Sequence, residues 1–158
     1  MRLHVAVPAA VTLCLSAVPL AANDREIDVR LFEKSQVDLR KSCSLALWQS
    51  DKDPHSDRFA YIFVELMDKR HARQPARIRI GTDVVQLRRV ATGGKKGGYD
   101  LYEYQTYRMT ADHSYVVLQL KLGPIEGEAV EIESGFLNVI QPGKVPARIA
   151  VKGGAGCW

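Results

Sequence analysis

Residues 115–122 read YVVLQLKL, and every second residue from Val116 to Leu122 is a valine or a leucine. Side chains two residues apart lie on one face of a β-strand, so this alternation predicts a strand with one buried face and one wetter face. Residues 59–67 read FAYIFVELM and are apolar at almost every position. That composition is typical of a strand buried on both faces near the centre of a sheet.

Shorter stretches of the same kind fill most of the chain after residue 42. We predict strands at residues 43–48, 59–67, 77–80, 84–90, 99–109, 115–122, 129–133, 136–140 and 145–152. The clearest loop between them is GGKKGG at residues 93–98, because ordering four glycines is costly. The spacing predicts an all-β fold, either an antiparallel β-sandwich or a small barrel of about eight or nine strands. Residues 27–40 are expected to hold an N-terminal strand and a turn, with a short helix as the alternative.

The first 22 residues predict a cleaved signal peptide. Arg2 lies in a short positive start, residues 5–20 are mostly small or apolar, and the chain turns polar directly after Ala22. Prolines interrupt this short apolar stretch, so we do not expect it to span a membrane. The alternatives are a membrane anchor or a buried helix. We predict that residues 23–158 form one β domain, which is not membrane-spanning, in the periplasm or outside the cell.

Cysteine usage agrees with export. Cys14 would leave with the signal peptide, and Cys43 and Cys157 would remain. Two cysteines in an oxidising compartment most simply form one intramolecular disulfide. Two free buried thiols or an intermolecular bridge are the alternatives.

Basic residues are concentrated between residues 69 and 96. This stretch contains nine lysines and arginines and a single acid, Asp83. Arg77 and Arg79 are two residues apart and should share one strand face, which Arg88 or Arg89 would join if the next strand pairs with theirs. A basic face on an exported protein favours an acidic protein, an anionic glycan or a lipid headgroup over nucleic acid. The alternative is a solvated face that protects the sheet from unwanted pairing.

Tyrosines follow the glycine-rich stretch directly. Alternation places Tyr102 and Tyr104 on one face, where they would stack on sugars or anchor an interface beside the lysines. Packing against the sheet is the alternative. The predicted binding residues are Arg77, Arg79, Arg88, Arg89, Lys95, Lys96, Tyr102 and Tyr104.

The loop at residues 51–57 combines Asp51, Asp53 and Asp57 with a histidine, and oxygen ligands on a turning loop suit calcium. It lacks the glycine of an EF-hand loop, so we interpret it as a solvated turn and predict no metal or other cofactor. No catalytic motif is present in the chain. The sequence therefore predicts a monomeric, non-catalytic binding protein of the cell envelope. The alternatives are a barrel that carries a small apolar ligand or lipid and, next, a hydrolase.

Overall fold

The computed structural model describes residues 26–39, 42–68 and 72–157. The predicted signal peptide and its cleavage site lie outside the described residues. Ten strands are present in the described part of the chain: β1 (Val29–Arg30), β2 (Phe32–Glu33), β3 (Cys43–Gln49), β4 (Phe59–Met67), β5 (Ala76–Ile80), β6 (Asp83–Lys96), β7 (Tyr102–Met109), β8 (Tyr115–Glu126), β9 (Ala129–Ile140) and β10 (Ala147–Cys157). A short 3-10 helix (Lys34–Gln36) follows β2.

Strands β3 to β10 form a closed antiparallel barrel of eight strands. Each strand pairs with the next one along the chain, and β10 pairs back with β3. The all-β prediction is thus confirmed, with the barrel rather than the sandwich. Closure is least extensive between β4 and β5, where one residue pair, Val64 opposite Arg77, joins the two strands. The short strand β1 pairs with β5, and β2 pairs with β4. The N-terminal segment therefore lies along the gap between β4 and β5.

Apolar side chains fill the barrel interior. Val116 and Leu118 on β8 are fully buried, as the alternation predicts, and Leu120 is nearly so. Eight strands enclose a space that side chains alone are able to fill. The fully buried residues include Leu45, Leu47, Phe63, Ile78, Leu87, Tyr107 and Leu137.

Strands β3 and β10 are joined at their ends by the two cysteines. Cys43 lies directly opposite Cys157, and their Sγ atoms are at disulfide-bonding distance, as predicted. Further along β10, Gly153 lies so close to β3 that a Cβ atom there would stand 2.4 Å from the carbonyl oxygen of Ala46. The space between these strands therefore requires a glycine.

Two strands continue past their predicted ends at residues 90 and 122. Strand β6 continues through Gly93 and Gly94 to Lys96, and the loop is displaced to residues 97–101. Tyr104 on β7 pairs with Gly93, and its ring leaves no room for a Cβ atom at Gly94. Glycine is a poor strand former, and a cross-strand aromatic ring packed against it helps to stabilise the strand. Strand β8 likewise passes Pro124, which lies at a register shift where a proline is tolerated.

Strand β9 joins two predicted strands, residues 129–133 and 136–140, into one. Among the described residues, no helix is long and apolar enough to cross a membrane.

Candidate binding surface

Four arginines lie together on the outside of the barrel wall. Arg77 and Arg79 on β5 alternate with the buried residues Ala76 and Ile78, so they share the outer face as predicted. Arg88 on β6 joins them, and so does Arg108 on β7, which lies directly opposite Arg88 and was not among the predicted binding residues. We call this set the outer basic face: Arg77, Arg79, Arg88 and Arg108.

The outer basic face lacks acidic neighbours across its strands. Gln86 lies opposite Arg77, and Val84 lies opposite Arg79. Within the described part of the chain, no ion pair involves Arg77, Arg88 or Arg108. Like charges directly opposite each other on neighbouring strands destabilise a sheet. Folding alone therefore does not account for the pair of Arg88 and Arg108.

Arg89, which was predicted to be a binding residue, does not lie on the outer basic face. Because it follows the outward-pointing Arg88, its side chain turns toward the barrel interior and is largely buried. Its guanidinium donates hydrogen bonds to the carbonyl oxygen of Asp100 at 2.8 Å and to Oε1 of Gln105 at 3.1 Å, and it pairs with the Asp100 carboxylate. Arg89 is thus part of an internal polar network.

A buried carboxylate, Glu65 on β4, is the centre of this network. Its side chain is 2% exposed, and it forms an ion pair with Arg73. The hydroxyl of Tyr107 donates a hydrogen bond to Glu65 Oε2 at 2.8 Å. Burial raises the pKa of Glu65, an effect that Arg73 and the Tyr107 hydroxyl partly offset. Burial also raises the pKa of Tyr107 well above its usual value, and the neighbouring Glu65 carboxylate adds to the effect.

Asp100 connects the internal network to the solvent. Its carboxylate pairs with Arg89 and, at 3.0 Å, with Lys96, while Arg73 Nε lies 3.7 Å away. Burial opposes ionisation, but hydrogen bonds from Arg89 and Lys96 outweigh it and lower the pKa of Asp100 to about 2. Tyr99 and Asp100 both have left-handed backbone (φ 57° and 54°). Asp100 therefore stays charged and holds the β6–β7 turn against the barrel.

The remaining predicted residues divide between the network and the solvent. Lys96 lies over the ring of Tyr102 at 5.3 Å, so these two residues belong with Asp100 and Arg89. Lys95 is exposed at the end of β6, and Tyr104 is 53% exposed on the outer side of β7. The structure therefore separates the eight predicted residues into those that lie on the outer side of the barrel and those that contact Asp100 or its network.

The acidic loop at residues 51–57 uses its carboxylates in its own turn. Asp53 accepts hydrogen bonds from the backbone N–H of His55 at 2.8 Å and from the Ser56 hydroxyl at 3.1 Å. The Asp57 carboxylate accepts one from the backbone N–H of Asp53 at 2.8 Å. In residues 26–39, 42–68 and 72–157, no group of three or more acidic, histidine or cysteine side chains is arranged to hold a metal ion.

No known protein family matches the chain, and neither a curated protein nor a solved structure is significantly similar to it. Inference about function therefore depends on the surface itself.

Proposed function

We propose that this protein is a non-catalytic binding protein of the cell envelope that recognises an acidic partner through the outer basic face. The observation that carries the proposal is the position of Arg88 directly opposite Arg108, with no acid across either strand. An arrangement that is unfavourable in the free protein becomes favourable once an anionic group lies between the two guanidinium groups.

The composition of the surroundings supports the same conclusion. Tyr115 lies opposite Arg108 on β8, and exposed Tyr104 lies on the same outer side of β7. Arginine and tyrosine are the residue types most enriched in binding hot spots. The partner is an acidic protein, an anionic glycan or a lipid headgroup, met after export to the periplasm or the cell exterior.

A carrier of a small apolar ligand is less favoured. Large side chains such as Phe63 and Leu118 fill the interior, and the buried ion pair of Glu65 with Arg73 belongs to the internal polar network. An apolar ligand would have to displace both.

The test is a double charge reversal, R88E/R108E, assayed against three anionic probes: a polyglutamate peptide, dextran sulfate and phosphatidylglycerol vesicles. We expect at least one probe to bind the unaltered protein and to lose about tenfold or more of its affinity for the variant. The matched control is K144E/K152E, which changes the net charge equally at exposed lysines, one of them on β10 across the barrel from β6. Equal losses in the two variants, or no binding of any probe, would refute the proposal.

A further inference from the structure

Most of β6 has a partner strand on one side only among the described residues. Residues 83–87 pair with β5, which ends there, whereas β6 continues for nine more residues to Lys96. Along residues 88–96, β7 occupies one side, and no strand among the described residues occupies the other. This side of β6, which we call the free edge, therefore offers backbone N–H and C=O groups to a further strand, apart from the N–H of Lys95, which donates to the Glu103 carboxylate at 2.8 Å.

The segment that precedes β5 does not pair with the free edge, and it contains a proline. Pro75 directly precedes β5 and has no N–H to donate to β6. The N–H of Gln74 instead donates to the carbonyl oxygen of Leu66 on β4 at 2.9 Å. A groove of about 420 Å³ remains between Gln74 and Pro75 on one side and Arg88 and Arg89 on the other.

The free edge is exposed and uncharged at its centre. Residues 90–94 read VATGG, and Val90 is 52% exposed. Cationic side chains flank this centre: Arg88 on one side and the exposed Lys95 on the other. Lysines protect an edge from pairing with an identical strand, because two basic edges repel each other. The two register shifts in β6 also protect it, because they distort the edge. The same charges attract a strand that carries carboxylates.

We propose that the free edge of β6 accepts an extended acidic segment of a partner protein as an added strand. Main-chain hydrogen bonds along residues 88–96 provide the affinity, and pairing of carboxylates with Arg88 and Lys95 provides the selectivity. This inference rests on the proposed function, because Arg88 belongs to both the outer basic face and the free edge.

The experiment uses a nine-residue peptide of alternating glutamate and threonine, which matches residues 88–96 in length. Two modified peptides carry backbone N-methyl groups on all glutamates or on all threonines. In a strand, successive residues direct their N–H groups to opposite edges, so all glutamates of this peptide point theirs to one edge and all threonines to the other. We therefore expect one modified peptide to bind the full-length protein like the parent and the other to bind about tenfold or more weakly. Similar affinities of the two modified peptides would overturn the strand-addition model.

The R88E/R108E variant separates failure of this inference from failure of the proposed function. If the parent peptide loses affinity for that variant but is insensitive to the position of N-methylation, the outer basic face binds acids without strand addition. If dextran sulfate or the vesicles bind the unaltered protein but not R88E/R108E, and the peptide binds neither, strand addition is overturned and the partner is a glycan or a membrane surface. If no probe binds, both proposals fail.

Discussion

The two sides of the barrel are built differently. On one side, β8, β9, β10 and β3 pair along most of their lengths, and the pair of Cys43 and Cys157 joins two strand ends. On the other, β4 and β5 share one residue pair, and the described residues provide a partner strand on one side only for residues 88–96 of β6. We call these the closed side and the open side.

The two sides also differ in what stabilises them. Close backbone packing at Gly153 and apolar burial stabilise the closed side. A buried ion network, with Glu65, Arg73 and Asp100 among its members, replaces part of that packing on the open side. Buried ion pairs contribute little net stability but position side chains specifically. The comparison indicates that the closed side supports the fold, and the proposed function assigns partner binding to the open side.

The largest expected effect is on the closed side, from C43S/C157S. The two cysteines are 114 residues apart, so their link constrains the unfolded chain strongly. We expect urea unfolding to show a loss of up to about 4–5 kcal/mol in the free energy of unfolding. Affinity for the anionic probes should stay unchanged in the fraction that remains folded, since the cysteines lie away from the outer basic face. A stability equal to that of the unaltered protein would show that the link is not formed.

The largest effect on the open side is expected from Arg73→Met. Removing Arg73 leaves the Glu65 carboxylate, 2% exposed, without its cation, and such a loss typically costs about 3–5 kcal/mol. Burial already raises the pKa of Glu65, so the folded state takes up a proton more readily than the unfolded chain, and stability is lost as the pH rises through the folded pKa. The loss in unfolding free energy should therefore be smallest in acid. In the control E65Q/R73M, much of the stability should return, and a double variant as unstable as the single one would argue against the network.

A glycine comparison tests packing on the two sides directly. In Gly153→Ala, the new Cβ would lie 2.4 Å from the Ala46 carbonyl oxygen, so we expect a loss of about 1–3 kcal/mol in unfolding free energy. In Gly93→Ala, the nearest atom would be the Cβ of Tyr104 at 3.9 Å, an ordinary contact. That variant should be neutral or slightly more stable, because alanine restricts the unfolded chain. Equal losses at the two positions would contradict the difference in packing.

The smallest effect is expected from Asp100→Asn, since asparagine also tolerates the left-handed backbone at this position. The pKa of Asp100 is lowered from 3.8 to about 2, so its contribution is present above pH 4 and is lost as the pH falls toward 2. Because the side chain is 45% exposed, solvent screening reduces this contribution to about 1 kcal/mol. Unfolding curves across that range should show a shallower pH dependence in the variant, and identical curves would mean that Asp100 does not anchor the turn.

Patterns within single stretches of sequence predicted the features that depend on neighbouring residues, namely strand bounds and the side chains that each strand buries. The bounds of β4 follow from its continuous apolar composition, and the burial of Val116 and Leu118 follows from strict alternation. The cysteine pair was predicted from the number of cysteines together with the predicted export. The choice of barrel over sandwich depends on long-range pairing, such as Val64 with Arg77, which no local pattern encodes.

The candidate site was predicted in part. Arg77, Arg79 and Arg88 lie on the outer side because simple alternation holds there. Arg89 points inward because it is adjacent in sequence to the outward-pointing Arg88. Which of these two arginines lies on the outer side depends on the register of β6 with β7, which the sequence alone does not give. Arg108 was missed because it lies outside the basic stretch and meets Arg88 only through strand pairing. Glu65 offered a signal, since a carboxylate within an otherwise apolar strand needs a buried partner.

The most direct test is a titration of the isotope-labelled protein with each of the three anionic probes, followed by amide chemical shifts. If the outer basic face binds the partner, saturable shifts will occur in β5, β6 and β7, centred on Arg88 and Arg108, with little change in β9, β10 and β3. Shifts centred on β9, β10 and β3, or no saturable shift with any probe, would contradict the assignment of binding to the open side.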